Sequence, residues 1–380
     1  MNNKHTRRRF LEITGLGGMG LCLQQTLLAG DAFAQTAGPP NYLLMVYFTG
    51  GWDQLLALDP RDQRQPQYKF SGTARPTSGI YPAYVENGAA DPVVQAVLNA
   101  STGTLGAGSG VQRPAGSSAT FGPAVPASML AHAADLSIVR GISMDTLTHE
   151  VGMRFFLTGK FPRGVQPSGS SLNTVVAGQS IGFSDQLDLP NLVLGPESYN
   201  ETFGAYASPT RVNNATDVLN VLSPQAVTAG TINQATLEAF EQQADSCEGH
   251  GYDVSGLVGQ FRASQAQARR MTNGAKANLF RFTSAPTADI AQLYDAFGIR
   301  LASGVYNSTD IAGPLGRAAI AAQAITQGLS QAVALTVTDS LDDHYDLFGQ
   351  QSTSQRLGWD AVGKLLAYLK TKPHPYQMGK

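Results

Sequence analysis

Three clusters of acidic and imidazole side chains carry the chemical potential of this sequence. Asp53 follows Gly50-Gly51-Trp52, and His149 ends the run Asp145-Thr146-Leu147-Thr148-His149. The third cluster is Asp339-Ser340-Leu341-Asp342-Asp343-His344. Carboxylates and imidazoles meeting at one place are what a divalent ion such as zinc, manganese or calcium needs. Asp342 and His344 are two residues apart, so on an extended segment they share a side. Thr148 beside such an ion would be a hydroxyl nucleophile with a coordination-lowered pKa. Each residue also has a plainer reading. An Asp after Gly-Gly commonly forms a turn or caps a helix. His149 suits the first turn of a helix, and residues 342–344 suit a solvated loop with capping bonds.

The elements that would position these groups favour the chemistry. Tyr42–Phe48, Leu136–Ile142 and Ala332–Thr338 are short apolar runs, the mark of strands buried on both faces. Each run leads into one of the three clusters, and ligands in open α/β sheets collect at the carboxyl ends of strands. A further short strand is expected at Leu192–Leu194. Helical periodicity is expected near Pro92–Leu98, Ser128–Ala134 and Glu150–Thr158, then from Leu172 and over Ala215–Leu222. It recurs over Gln234–Ala244, Val254–Met271, Ala288–Phe297, Leu315–Leu329 and Leu357–Leu369. The last is amphipathic, with Trp359, Val362, Leu366 and Leu369 on one face. Strands separated by helices imply an α/β fold with a mostly parallel central sheet flanked by helices. The helix-rich stretch 200–330 reads as an inserted cap, and Ser101–Ser118 as a flexible surface insertion. His132, Arg154 and His374 are better explained as structural or surface residues, and Trp52 either lines a site mouth or packs.

The amino terminus addresses the chain. Thr6-Arg7-Arg8-Arg9-Phe10-Leu11 precedes a weakly apolar, Gly-rich stretch, and Ala32-Phe33-Ala34 is a small-x-small cleavage pattern. Paired arginines before Phe-Leu are the mark of a twin-arginine export signal. The stretch is too short and too rich in Gly and Gln to anchor in a bilayer. Residues 1–34 are therefore expected to be a signal peptide, carried by the twin-arginine translocase and cleaved near Ala34. The mature domain, 35–380, is then expected in the periplasm or outside the cell. Charged residues are only 14% of the chain and the net charge is −2, which argues against a nucleic-acid partner. Of the two cysteines, Cys22 lies in the signal, so Cys247 alone cannot form an internal disulfide.

Taken in order, these motifs resemble a known family. The twin-arginine signal, the strand-Gly-Gly-Trp-Asp motif, the Thr-His-Glu…Phe-Leu-Thr-Gly segment and the strand-Asp-x-His motif look like exported proteins of domain of unknown function 1501. That family is similar to the alkaline phosphatase and sulfatase superfamily. The resemblance implies an alkaline-phosphatase-like sheet with a metal site at the strand ends. Asp53, Asp342 and His344 match metal ligands, and Thr148 is the nearest match to the nucleophile, with His149 as the alternative catalytic residue. The implied activity is metal-dependent hydrolysis of a phosphate or sulfate ester. The alternative is a non-catalytic exported protein that binds a surface polymer on a degenerate hydrolase fold. Family members usually continue with another core strand and a Gly-x-Asp-His segment. Neither follows Leu357–Leu369 here, so the ligand set is expected to be incomplete at the carboxyl end.

Overall fold

The computed structural model describes residues 41–61, 88–100, 110–164, 166–180, 187–223, 264, 266–271, 276–299, 305–339, 341–344 and 347–376. Residues 1–34, the stretch Gln234–Ala244, most of Val254–Met271, and Cys247 lie outside them. The described elements, in chain order, begin with β1 (Leu43–Tyr47), α1 (Pro92–Ala100), α2 (Ala127–Leu130), α3 (His149–Thr158) and α4 (Leu172–Gln179). Next come β2 (Asn191–Leu194), β3 (Thr210–Val212), α5 (Ala215–Leu222), α6 (Ala288–Phe297), α7 (Ser308–Ala312) and α8 (Pro314–Thr326). The last two are β4 (Ala332–Thr336) and α9 (Leu347–Lys370).

The four strands form one all-parallel sheet in the order β1-β4-β2-β3, covered by helices. The expected α/β architecture is therefore present. β4 sits centrally, with Val333 opposite Leu44 on one side and Leu192 on the other. Alternation of side chains along the strands divides the core. Leu44, Val46, Leu192, Leu194, Val333 and Leu335 face the main cluster, where Met129, Val218, Phe297, Ile320 and Leu365 meet them. Met45, Val193 and Ala334 face the other way, onto Leu157 and Met153 of α3 and Leu172 of α4. Five alanines of α8, Ala318, Ala319, Ala321, Ala322 and Ala324, have no exposed surface, which lets this helix lie close against β4 and α9.

Helix boundaries follow local chemistry. Asn214 caps α5 by accepting from the Asp217 amide at 3.0 Å. Pro314 opens α8, where its missing N–H costs nothing. Gly159 closes α3 in the left-handed region, donating its N–H to Phe155 O at 2.8 Å.

One expectation changes, and one strand is new. Leu136–Ile142 forms no strand: Leu136 and Ile138 reach the main core, but Val139 and Ile142 are 64% and 58% exposed. Gly141 adopts φ +75 there, which breaks an extended run. Among the described residues β1 is therefore an edge strand, and it is half-buried except at Met45. In the stretch read as an inserted cap, the described helices α5, α6 and α8 share the main core with the sheet. β3 was not expected, since Thr-Arg-Val is too short and too polar to show as a strand. Among the described residues, no helix is long and apolar enough to cross a membrane.

Candidate functional site

All four strands point the same way, so their carboxyl ends share one edge. Pairing between β1 and β4 continues past the strands: Val337 N donates to Tyr47 O at 3.2 Å and Leu341 N to Thr49 O at 2.8 Å. The Thr49 amide also donates to Thr338 Oγ1 at 3.0 Å. Gly50 then turns with φ +92, and a Cβ there would lie 2.7 Å from Asp342 N and 2.8 Å from Leu341 N. Only glycine meets both demands. The turn is thereby pressed against the backbone that carries Asp342.

α9 locks these two loops together. Gln351 and Gln355, one helical turn apart, have no exposed surface. The Gln351 amide donates to Gly51 O at 3.1 Å and to Leu341 O. Its Oε1 accepts from Asp53 N at 3.3 Å and from Gln355 Nε2 at 2.9 Å. Gln355 Nε2 donates to Asp53 O at 3.0 Å. Sequence reading missed both glutamines. They lie one and two turns before Trp359, on the stripe that Trp359 and Val362 continue, and polar residues on an apolar stripe were the available signal.

The clamp sets Asp342 between two imidazoles. His149 Nε2 is 3.2 Å from Asp342 Oδ2, and His344 Nε2 is 2.8 Å from Asp342 Oδ1. His149, Asp342 and His344 thus come together, and all three are substantially exposed. Thr148 is the N-cap residue of α3, exposed, and its side chain makes no cap bond. Beside them lies a cleft of about 410 Å³ lined by Tyr47, Phe48, Trp52, Met144, Thr148, His149, Met153 and Phe156, among others. Its walls are aromatic: Tyr47 and Phe156 pack with centroids 5.5 Å apart, and Phe48 and Trp52 at 5.3 Å. Burial pushes the Tyr47 phenol above its usual pKa, so it stays protonated across the ordinary pH range. Trp52 both lines the cleft and packs on Trp359.

Asp53 Oδ1 accepts from Leu55 N at 2.9 Å and caps the short 3₁₀ turn Gln54–Leu56. Asp339 pairs with Arg317 at 2.9 Å. Arg154 Nε lies 3.5 Å from Glu197 Oε2, which also accepts from the Tyr199 hydroxyl. His132 is buried against Gly363 O at 3.1 Å, and His374 packs edge-on against Tyr42. By donor type, Asp342, His149 and His344 suit a divalent ion. Both ε-nitrogens are engaged by the carboxylate, however. Among the described residues no group of three or more His, Cys, Asp or Glu is disposed to hold an ion.

No family model matches the sequence, and no curated protein or solved structure matches it either.

Proposed function

We propose that the chain is an exported metal-dependent hydrolase of phosphate or sulfate esters, of the kind that the domain of unknown function 1501 motifs suggest. The observation that carries this reading is the Asp342 carboxylate held between His149 and His344 at the strand ends, beside the cleft. A divalent ion held by Asp342 and His344 would supply Lewis acidity and lower the pKa of a hydroxyl beside it. The protein's own groups supply the rest. Thr148 presents the hydroxyl at the first turn of α3, where the helix dipole favours an anion. His149, its Nε2 oriented by Asp342, carries the proton. The Gln351–Gln355 clamp holds the Asp342 loop against the β1 turn.

A second reading has its own support. Asp53 Oδ1 caps a turn, and the cleft walls are aromatic with two methionines, a lining that suits binding of an apolar group. Metal content separates the two. Residues 35–380 should be purified beside an Asp342→Ala/His344→Ala variant, and both assayed by inductively coupled plasma mass spectrometry and with aryl phosphate and sulfate esters. Stoichiometric zinc, manganese or calcium in the parent alone, with turnover, is the expected result. A folded parent without metal and without turnover leaves the binding-protein reading. Export is tested separately: Arg7→Lys/Arg8→Lys should leave the unprocessed chain in the cytoplasm.

A further inference from the structure

We propose that the cleft is a subsite for an uncharged aromatic ring, held open by Gly152, with the ligand's polar end at Thr148 and His149.

One face of α3 makes a wall of the cleft. His149, Gly152, Met153 and Phe156 recur at helical spacing, and all four line it. Gly152 stands between the imidazole and the Phe156 ring, three residues after one and four before the other. A glycine inside a helix destabilises it relative to alanine. Packing does not demand one here. A Cβ at Gly152 would meet only Thr146 Cγ2, at an ordinary contact distance of 3.5 Å, and the backbone there is not left-handed. What the missing side chain leaves is room in the cleft between His149 and Phe156.

The room suits a ring. The other walls come mainly from β1 and its turn, with Tyr47, Phe48 and Trp52. Phe156 packs beside Tyr47 yet stays 46% exposed, so much of its surface is left for a ligand to cover. Aromatic side chains attract a further ring in offset or edge-to-face geometry, which a saturated group cannot reproduce. Size agrees: the cleft of about 410 Å³ falls in the range of small-molecule sites, roughly 300–1,000 Å³. Charge agrees as well. Among the described lining residues there is no Lys, Arg, Asp or Glu. A charged group inside would lose its water and meet no counter-ion, so the enclosed part of the ligand is uncharged.

The polar end follows from the helix. Thr148 and His149 begin α3, and Phe156 lies seven residues beyond His149, about 10 Å along the axis. A two-ring aromatic with one polar group spans that distance. The ring class deepens the site proposed above, and only the polar end rests on that reading.

The test is binding of naphthol, and of decahydronaphthol as its saturated counterpart, to the whole chain, followed by ligand-observed NMR titration. Naphthol should bind about fivefold more tightly. A pocket that is only greasy ranks the saturated compound equal or ahead, because hydrophobic burial follows area. Gly152→Leu should keep or raise the urea midpoint, since leucine favours a helix where glycine does not. By filling the cleft it should weaken naphthol at least about tenfold. Naphthol binding no tighter than its saturated counterpart, or not at all, overturns the inference. So does a folded Gly152→Leu with unchanged naphthol affinity. If Gly152→Leu fails to fold, Phe156→Ala decides: naphthol should lose more affinity than decahydronaphthol, and equal losses or none overturn the inference. Ester turnover without a preference for naphthol sinks the ring subsite and keeps the hydrolase. A preference for naphthol without metal or turnover does the reverse.

Discussion

Two segments bring the site residues to the sheet edge, and they are held in opposite ways. Leu341–His344 follows the central strand, is hydrogen-bonded to the β1 turn, and is fixed from behind by two buried glutamines. Leu136–Thr148 follows no strand and leaves Val139, Ile142 and Leu147 exposed; Arg140 ties it to Leu58 O and Thr120, and it ends at α3, which packs Met153 and Leu157 under the sheet. The Asp342 segment is thus bonded to the central strands, and the His149 segment is held by side chains and by one helix.

The sharpest way to break this contrast is at Gly50. Gly50→Ala forces a Cβ against the Leu341 and Asp342 backbones at a left-handed φ, and should cost about 4 kcal/mol. Urea unfolding measures it. A loss below about 1 kcal/mol would mean that the turn and the Asp342 loop are not pressed together as described.

Next is the clamp. Gln351→Leu removes bonds to Gly51 O, Leu341 O and the Asp53 amide while leaving those groups buried, and should cost about 3 kcal/mol. Gln355→Leu loses the bond to Asp53 O and the one to Gln351, and should cost less. Equal effects from the two would argue against Gln351 as the centre of the network.

Asp53 separates the two readings of its carboxylate. As a cap alone, Asp53→Ala should cost about 1 kcal/mol and leave metal content unchanged. Loss of bound metal in that variant would return Asp53 to the ligand set.

What the sequence disclosed followed the strength of local signals. β4 was legible because a continuous apolar run reads as a buried strand, and α5 and α6 because each presents an apolar face. His149, Asp342 and His344 were found through their common position after apolar runs, and the structure brings them together. That argument leaned on a strand at Leu136–Ile142, which the structure leaves unpaired, so it reached neighbouring residues through an element that is not formed. Asp53 matched the motif equally well, yet a carboxylate two residues before a free amide is also a cap, and spacing cannot separate the uses. The role of Gln351 and Gln355 was illegible for a tertiary reason. Their place on an apolar stripe marks them for burial, but their partners in the β1 turn lie about 300 residues away in sequence, where no local pattern reaches.

The smallest stability effect is expected where the chemistry is densest. Asp342→Asn keeps the side-chain shape and weakens two exposed pairs, and such pairs contribute roughly 0–1 kcal/mol, so the melting temperature should barely move. The same change removes the negative charge that orients both imidazoles, and turnover or metal retention should fall by at least about tenfold if the site acts as proposed. A buried clamp that is costly to touch and a surface carboxylate that is almost free to change would then divide the roles cleanly. Gln351 would hold the loop and Asp342 would do its work. If Asp342→Asn instead unfolds the chain while leaving any chemistry per folded molecule intact, the His–Asp–His arrangement is scaffold.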